Sequence, residues 1–340
     1  MLRKFVLLVC AILVAGFTAS CSPLEGDGRH LVPLSSMAKT RLAAMGSSPK
    51  AAMMVRIFKE ESALEVWKQT ADGSFKLYNT FDICTWSGDL GPKFYEGDRQ
   101  APEGFYTITP GLMNPNSNYY LAFNLGFPNR YDRAHGRTGS HLMVHGACSS
   151  AGCYAMEDEQ IAEIYALARE AFVGGNRSFE VQIFPFRMTP QNLAEHQSSP
   201  HYAFWQNLKE GYDYFEVANQ PPAWDVCDNR YVFRQPSAAN AAASLSGTCP
   251  AVVADSAIVS AFQSKQTADA AALADAVTQI ADAEQASARA AEQRVAHQAE
   301  LEARGEAINS AVGGFFDTLM SPFGGGTTAQ SSVPPAAPQG

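Results

Sequence analysis

A histidine and a cysteine eight residues apart carry the chemistry that this sequence is best equipped to perform. They are His145 and Cys153, and the segment 145–153 that joins them reads HGACSSAGC. A cysteine is a strong nucleophile only as a thiolate, and a nearby imidazole is the usual group that takes its proton near neutral pH. Gly152 allows close backbone approach, so the N–H groups of Gly152 and Cys153 are candidates for an oxyanion hole. The spacing leaves two interpretations open, a nucleophilic cysteine activated by the histidine and a buried structural cysteine.

The residues around this pair resemble the active-site signature of the L,D-transpeptidases, the YkuD-type catalytic domain. In that family a His-Gly pair precedes a Ser-His-Gly-Cys run, and here His145-Gly146 precedes Ser150-Ala151-Gly152-Cys153. The flanks are similar to the YafK-like murein L,D-transpeptidase subgroup, in blocks at 56–61, 86–88, 96–106, 131–140 and 152–156. The blocks follow the family's order and together cover about residues 50–235.

The resemblance implies a role for each residue of the motif. Cys153 matches the nucleophile, which would attack a peptidoglycan stem peptide at diaminopimelate and form a thioester. His145 matches the general base and acid, a role that suits an imidazole. The backbone of Gly146 is expected to orient the His145 ring, and the N–H groups of Gly152 and Cys153 to hold the oxyanion. The resemblance implies no metal and no organic cofactor.

Two positions depart from the pattern of the wider family. Ala151 replaces the histidine before Gly-Cys, and Ala155 stands where an arginine usually lies two residues after the cysteine. Both departures are typical of the YafK-like subgroup, but they put in doubt any transfer of substrate preference from the wider family. A carboxylate on the donor peptide needs a cation, and the candidates in family-like loops are Arg99, Arg133 and Arg137.

The first residues of the chain predict export. Residues 1–20 combine a basic start with an apolar core that is typical of a signal peptide and too short for a stable membrane span. Cys21 follows Thr18-Ala19-Ser20 and is either the lipidated first residue of a lipoprotein or a residue near an ordinary cleavage site. The expected location is the periplasm, with a lipid anchor in the outer membrane if Cys21 is acylated.

The other cysteines fit an oxidising compartment. Cys227 and Cys249 lie on either side of a short segment and are the predicted disulfide pair. Cys84 with Cys148 is an alternative pairing that the sequence leaves open. A bridge between Cys148 and Cys153 would instead block the nucleophile.

The elements that must position the site are mainly strands. Apolar alternation predicts strands at 53–58, 64–67, 75–78 and 178–184. The first clearly predicted helix follows the motif. Acidic residues at 157–159 lie in its first turn, where they stabilise a helix N-terminus, and Gly174 marks its end. A second, short helix is predicted at 203–208. The resemblance implies an α+β, mainly β fold, in which a β-sandwich-like catalytic domain has flanking helices.

Composition divides the chain into six segments. They are a signal peptide at 1–20, a flexible tether at 21–50, the catalytic domain at 51–235, a linker at 236–263, an alanine-rich segment at 264–311 and a disordered tail at 312–340. The alanine-rich segment contains no proline and predicts a long exposed helix or a coiled coil. Leu273, Val277 and Ile280 form its one apolar seam.

The net charge and the motif of His145 and Cys153 together limit the classes of function that fit this chain. A net charge of −9 without a compensating basic stripe argues against nucleic acid as a partner. The expected function is that of an exported cysteine acyltransferase on peptidoglycan stem peptides, which forms cross-links, attaches proteins, or detaches a wall-linked lipoprotein by hydrolysis. The alternative is a catalytically idle scaffold lipoprotein that binds peptidoglycan, and the intact pair of His145 and Cys153 argues against it.

Overall fold

Two five-stranded β-sheets form the framework that carries the site. The computed structural model describes residues 28–234 and 256–320, without the side chains of Arg234 and Met320. The predicted signal peptide, Cys21 and Cys249 lie outside these residues. The strands are β1 (Met53–Phe58), β2 (Ala63–Gln69), β3 (Phe75–Asp82), β4 (Thr85–Trp86), β5 (Gly104–Ile108), β6 (Met113–Asn114), β7 (Ala122–Asn124), β8 (Met143–His145), β9 (Tyr154–Ala155), β10 (Phe179–Phe184), β11 (Ala223–Cys227) and β12 (Arg230–Arg234).

The sheets are mixed, and helices cover them. One sheet has the order β3-β2-β1-β10-β5, the other has the order β4-β9-β8-β7-β6, and β11 pairs with β12 in a hairpin. The helices are α1 (Ser36–Ala44), α2 (Arg130–Ala134), α3 (Asp158–Val173), α4 (Pro190–Glu195), α5 (Tyr202–Ala218) and α6 (Ser256–Met320), with 3-10 turns at Arg29–Leu31 and Pro110–Leu112. The predicted α+β fold is therefore confirmed.

The two five-stranded sheets share one apolar core. Successive side chains of a strand point to opposite faces, so Val55 and Ile57 of β1 lie on the same face. They belong to a buried cluster that also takes Val144 from β8 and Tyr154 from β9. Ile164 of α3 joins the same cluster. The strands that hold the active-site motif are thus anchored to the central sheet by buried apolar contacts.

Helix α3 follows the sequence prediction closely. It begins at Asp158, carries Asp158 and Glu159 in its first turn, and ends at Val173 with Gly174 as its C-cap. Helix α5 is longer than the predicted 203–208. It runs from Tyr202 to Ala218 and includes Gly211, where a Cβ would lie 2.5 Å from Phe105 Cζ, so glycine allows the helix to pack closely there.

The segment predicted as a tether contains part of the domain instead. Ser35 caps helix α1 by accepting a hydrogen bond from the Ala38 N–H. Leu34, Ala38 and Leu42 are spaced four residues apart and are buried in the shared core. Among the described residues, the chain is therefore folded onto the domain from Leu34 onwards, and the predicted boundary at residue 51 is too late.

The C-terminal helix α6 begins before residue 264 and extends beyond residue 311, the limits that composition predicted. The chain divides into two compact units, and the first of them ends at Val277. Within that unit, Leu273 packs against the apolar cluster of Trp205 and Leu208, and Ala276 is buried. The second unit starts at Thr278, and its described side chains from 281 to 319 are exposed. In the described part of the chain, no helix is both long and apolar enough to cross a membrane.

Charged side chains reinforce the attachment of the start of α6 to the first unit. Lys265 lies 3.4 Å from the carboxylate of Asp213, which is 3% exposed, and 2.9 Å from that of Asp269. Lys209 of α5 pairs with both Asp213 and Asp269. Deleting the helix would therefore expose apolar surface and leave the Asp213 carboxylate with fewer partners.

We expect the position of a C-terminal truncation to decide whether the domain stays stable. Truncation after Val277 should leave the free energy of unfolding of the first unit nearly unchanged. Truncation after Pro250 should lower it by roughly 2–4 kcal/mol, because Leu273 and Lys265 are then lost. Denaturant unfolding of the two truncated proteins measures the difference. Equal stability would mean that the contacts of residues 256–277 contribute little.

Candidate active site

Neighbouring parallel strands of the second sheet position His145, the last residue of β8, and Cys153, the residue directly before β9. Val144 lies opposite Tyr154 and His145 lies opposite Ala155 in the register of β8 and β9. Val144 and Tyr154 are fully buried in the shared core, so His145, which follows Val144 in β8, points away from it. Cys153 directly precedes β9, and its Sγ lies 3.4 Å from the backbone nitrogen of Met143, two residues before His145.

The ring of His145 is held by the backbone of the residue that follows it. Nδ1 lies 2.6 Å from the carbonyl oxygen of Gly146. A carbonyl oxygen only accepts, so Nδ1 carries the proton and Nε2 keeps the lone pair of a base. The ring also packs on Tyr119, with 4.7 Å between ring centroids. Burial lowers the pKa of His145, although the bond to Gly146 opposes this, so the imidazole is neutral at neutral pH.

Gly146 is confined by its neighbours on three sides. A Cβ at this position would lie 2.5 Å from Asp158 Oδ1, 3.0 Å from Tyr120 Cβ and 3.1 Å from the Tyr119 carbonyl oxygen. Its N–H donates to the carbonyls of Tyr119 and Leu121 at 3.0 and 3.2 Å. Any larger residue after His145 would collide with these neighbours. The position of the Gly146 carbonyl, which orients the His145 ring, therefore depends on glycine at this position.

The Cys153 thiol lies partly buried in a pocket of backbone groups. The Met143 N–H points to Sγ at 3.4 Å, and Sγ lies 3.7 Å from the carbonyl oxygen of His141. Burial raises the pKa of the thiol, while the Met143 N–H and the positive charge of Lys93 lower it in part. The resting pair is therefore a neutral thiol and a neutral imidazole, and the structure has no hydrogen bond between Cys153 and His145.

The two predicted oxyanion donors already share an acceptor. The N–H groups of Gly152 and Cys153 both point to Ser150 Oγ, at 3.3 and 3.0 Å, and this hydroxyl donates to the Cys153 carbonyl at 2.7 Å. Gly152 has a φ of +128°, which favours glycine. The two donors thus converge on one point, but a substrate oxygen would have to replace the Ser150 hydroxyl there.

The disulfide that the structure describes is the pairing that the sequence left open. Cys84 and Cys148 are bonded, which ties the segment between His145 and Cys153 to the start of β4. Cys153 is the free cysteine among the described residues. The sequence left open a bridge between Cys148 and Cys153, and the disulfide of Cys148 with Cys84 excludes that bridge.

The structure describes one of the two cysteines of the predicted Cys227–Cys249 disulfide, and one group of residues with metal-ligating atoms. Cys227 is disulfide-bonded, and Cys249, which the sequence predicts as its partner, lies outside the described residues. Among the described residues, Cys84, Cys148 and Glu157 are the three metal-ligating groups that come together. Two of them are the sulfurs of the disulfide, which are not thiolates and cannot serve as zinc ligands.

The three candidate arginines have different surroundings. Arg137 is buried, its guanidinium lies 2.9 Å from the buried carboxylate of Asp132, and it stacks on the ring of Tyr131. Arg133 is exposed and donates to the carbonyl of Pro128. These contacts make Arg137 a structural residue and place Arg133 on the surface of α2.

Arg99 is the candidate whose backbone the structure places beside the nucleophile segment. Its Cα would lie 4.0 Å from a Cβ built on Gly152, and its side chain is exposed. The carbonyl oxygen of Arg99 accepts a hydrogen bond from Ser87 at 2.7 Å, which holds the backbone in place. Of the three, Arg99 is the one whose backbone is found near Gly152 among the contacts that the structure gives.

Sequence reasoning missed Lys93. Its side chain is 3% exposed, and its ammonium group pairs with Asp98 and donates to the Tyr95 carbonyl at 3.0 Å. The sequence contains a lysine five residues before an aspartate, a pattern that does not distinguish a buried ion pair from two surface residues. The available signal was Gly139, because a glycine there leaves the space that the Lys93 side chain occupies.

The arrangement as a whole supports nucleophilic acyl transfer. A neutral base on an ordered ring lies in β8, and a backbone donor of the same strand, the Met143 N–H, lies next to the thiol. Apo structures often lack the final hydrogen bond between nucleophile and base, which tightens when substrate binds. The chemistry expected of this site is attack of the thiol on a carbonyl carbon, with the proton passing to the imidazole.

The chain matches known proteins over the region that holds this site. The family model of the L,D-transpeptidase catalytic domain, YkuD, matches residues 54–221. YafK of Escherichia coli (strain K12), which carries a provisional L,D-transpeptidase name, is 42% identical over 235 residues, or 69% of this chain and 92% of YafK.

Solved structures are more distant. The helical cell shape determining protein Pgp2 from Campylobacter jejuni, as a K307A mutant, is 20% identical with a TM-score of 0.34, over 57% of this chain and 65% of that one. Bd1075 of Bdellovibrio bacteriovorus is 16% identical with a TM-score of 0.28, over 50% of this chain and 61% of that one. The chain thus spans less than two thirds of either solved chain.

Proposed function

Because the chain belongs to the family of L,D-transpeptidase catalytic domains (YkuD), we propose that it is an exported cysteine acyltransferase that acts on peptidoglycan stem peptides containing diaminopimelate. The observation that supports the proposal is the pairing of β8 with β9, which puts the Cys153 thiol 3.4 Å from the Met143 backbone nitrogen, on the same strand as His145. The intact nucleophile and base argue for an active enzyme and against an idle scaffold.

The resting protonation states define the first step. Because burial raises the pKa of Cys153 and lowers that of His145, the thiol keeps its proton until substrate arrives. As Sγ attacks the peptide carbonyl, its proton passes to Nε2 of His145 and the carbonyl oxygen takes the negative charge. The Nδ1–H bond to Gly146 holds the ring and supports the imidazolium that forms.

The second step breaks the peptide bond. The imidazolium of His145 returns its proton to the departing amine, and the tetrahedral intermediate collapses to a thioester on Cys153. Backbone N–H groups of Gly152 and Cys153 stabilise the oxyanion once the Ser150 hydroxyl has turned away from them. Each proton that leaves the thiol is thus delivered to the leaving group, and His145 is neutral again.

The acceptor that reaches the thioester determines the product. An amine from a second stem peptide gives a cross-link, and an amine of a protein gives attachment to the wall. Water gives hydrolysis, which would detach a lipoprotein that is linked to the wall. Stem peptides lie outside the cytoplasmic membrane, so the signal peptide at 1–20 and a lipid anchor at Cys21 belong to the same proposal.

The activity is tested by incubating the purified protein with diaminopimelate-containing muropeptides. Mass spectrometry of the muropeptides should reveal a cleaved or exchanged peptide bond, and the intact mass of the protein should reveal an acyl adduct on Cys153. The matched control is Cys153→Ala. Unchanged muropeptides and an unmodified protein, with and without an added amine acceptor, would contradict the proposal.

We expect Arg99 to act in substrate binding. Arg99→Ala should raise KM about 10- to 100-fold and change kcat little, since a charge-assisted bond to a substrate carboxylate would be lost. Steady-state kinetics on a defined muropeptide measures both constants. Arg133→Ala is the matched control, because it removes an exposed arginine of helix α2 and should leave KM unchanged. Equal effects from both variants would remove Arg99 from the substrate site.

A further inference from the structure

The segment directly before β7 lies against the general base. Strand β7 pairs with β8 so that Ala122 lies opposite His145. Three residues before Ala122, the ring of Tyr119 packs on the imidazole, with 4.7 Å between ring centroids and 37° between ring planes. The carbonyl oxygen of Tyr119 also accepts a hydrogen bond from the Gly146 N–H at 3.0 Å. Tyr119 therefore contacts both the base and the residue whose carbonyl holds the Nδ1–H of the base.

The backbone is anchored on both sides of Tyr119. Before it, the Oγ of the buried Ser117 accepts the Tyr119 N–H at 3.0 Å. After it, Tyr120 has a φ of +65°, and Leu121 is buried in the shared core. The Leu121 carbonyl oxygen also accepts from the Gly146 N–H, at 3.2 Å. The position of the Tyr119 ring over the base is therefore set by a fixed backbone.

The ring of Tyr119 serves the base more than it serves the core. The shared core takes Leu121, and the partly buried ring of Tyr120 packs against it. Tyr119 is instead 49% exposed, and its hydroxyl has no hydrogen-bond partner in the described part of the chain. An aromatic side chain contributes to a core by burying its large surface, which Tyr119 does only in part. Its contact with the imidazole of His145 is therefore the feature that needs an explanation.

We propose that Tyr119 is a positioning residue for the general base, because its ring backs the imidazole of His145 while its carbonyl fixes Gly146. The proposal rests on the proposed function, in which His145 takes the proton of Cys153. The bond from Nδ1 to the Gly146 carbonyl holds one edge of the imidazole. The Tyr119 ring limits movement of the imidazole out of its plane. Together the two contacts keep Nε2 in one direction, and a fixed orientation of the reacting groups speeds proton transfer.

Tyr119 also limits the access of water to the base. Burial is the main cause of the lowered pKa of His145, and the Tyr119 ring covers part of the imidazole. Alanine in place of Tyr119 would let water solvate the charged imidazolium better than it does now. The pKa of His145 should then rise toward the ordinary histidine value.

Two charged side chains lie near the same segment. Asp158, the first residue of α3, accepts the Ala147 N–H at 2.8 Å. The guanidinium of Arg29 lies over the ring of Tyr120, 5.2 Å from its centroid. Neither contact uses the ring of Tyr119. Removal of that ring should therefore change the hydration and the orientation of the imidazole and leave these charges in place.

NMR titration of the histidine rings tests the proposal without any substrate. Tyr119→Ala should raise the pKa of His145 by roughly 0.5–1 unit. It should also convert the Nδ1–H tautomer into a mixture, because an imidazole that turns loses the bond to Gly146 that selects this tautomer. Long-range proton–nitrogen spectra report the tautomer, and His145→Gln identifies the signal among those of the seven histidines. Tyr119→Phe keeps the ring and should change neither quantity.

Steady-state kinetics on a muropeptide adds a second readout. Tyr119→Ala should lower kcat about tenfold and change KM little, because the orientation of the base affects proton transfer and not substrate binding. Tyr119→Phe should keep kcat within about twofold of the unmodified protein. Failure of the muropeptide assay would leave the titration intact, so the proposed function and this proposal fail separately.

Tyr120→Ala is the matched control for loss of a tyrosine ring from the same segment. It keeps the Cβ that lies beside Gly146 and removes a ring that packs on the apolar core. The ring of Tyr119 stays on the imidazole in this variant. The pKa and the tautomer of His145 should therefore not change.

The outcomes separate positioning of the base from general loosening of the segment. A mixed tautomer, a raised pKa and a lowered kcat in Tyr119→Ala, with the tautomer and the pKa unchanged in Tyr119→Phe and Tyr120→Ala, support the proposal. An unchanged tautomer or kcat in Tyr119→Ala, or an equal change in either other variant, would overturn it. If the protein turns over no muropeptide, the titration alone decides. If circular dichroism shows that Tyr119→Ala does not fold, Tyr119→Leu takes its place, because leucine keeps apolar bulk but has no flat face: a mixed tautomer supports the proposal, and an unchanged one overturns it.

Discussion

Cys153→Ala is expected to reduce turnover of a muropeptide substrate on the order of 10⁴-fold or more, to the background of the assay. The thiol is the atom that forms the thioester, and alanine offers no group that could replace it. Cys153→Ser should be equally inactive, because a neutral imidazole of lowered pKa is a poor base for a hydroxyl. Intact-mass analysis after mixing with substrate should find the acyl adduct only in the protein that retains Cys153.

The control for this prediction uses the other cysteines of the site. A double variant, Cys84→Ala with Cys148→Ala, removes the disulfide but leaves the thiol of Cys153 and the base in place. It should keep part of the activity and form the adduct. Turnover by Cys153→Ala, or an adduct on another residue of that variant, would refute the assignment of the nucleophile.

His145→Gln is expected to lower kcat/KM by 10²- to 10⁴-fold at neutral pH, the usual range for loss of a general base. The effect should be large here because burial keeps the Cys153 thiol protonated, so the thiol depends on a base for activation. The rate of the variant should rise with pH, as hydroxide generates the thiolate that His145 no longer produces. Stopped-time assays between pH 6 and pH 10 measure both the loss and its recovery, a range chosen roughly to bracket the ordinary thiol pKa.

The unmodified protein should have an acid limb at the pKa of the His145 imidazole, which this variant lacks. The reactive form contains neutral His145, so activity falls as pH decreases through the pKa of the imidazole. Burial lowers that pKa, which places the limb below the ordinary histidine value of about 6.5. If kcat/KM of the variant lies within about tenfold of that of the unmodified protein, the general base is a group other than His145. The same conclusion follows if the acid limb of the unmodified protein persists in the variant.

Local patterns predicted much of the framework. Alternation of apolar residues predicted β1 at 53–58, and the structure has Met53–Phe58. Acidic residues followed by apolar residues at helical spacing predicted α3, which runs from Asp158 to Val173. Both signals arise within one element, from the periodicity with which a strand or a helix presents its side chains to a core. That is why they could be found without knowledge of the neighbours.

Predictions failed where a long-range contact outweighs composition. The segment before residue 51 looks like a tether by its Gly, Ser and Pro content, but Leu42 and its neighbours are buried in a core made by distant strands. The apolar residues at the start of α6 are mostly alanines, which bury little surface, yet Leu273 packs on α5. In both cases a small number of contacts with distant residues attaches to the domain a segment whose composition does not predict the attachment.

The motif of His145, Gly146 and Cys153 was determined by the sequence alone, because its chemistry depends on residue types that stand close together in the chain. The tertiary structure decided what surrounds that motif. It selected the disulfide of Cys84 and Cys148, buried Arg137 against Asp132, left the Arg99 backbone beside Gly152, and buried Lys93 against Asp98. Burial and distance set the charge state and the partners of a side chain, and both depend on residues far apart in sequence that only folding brings together.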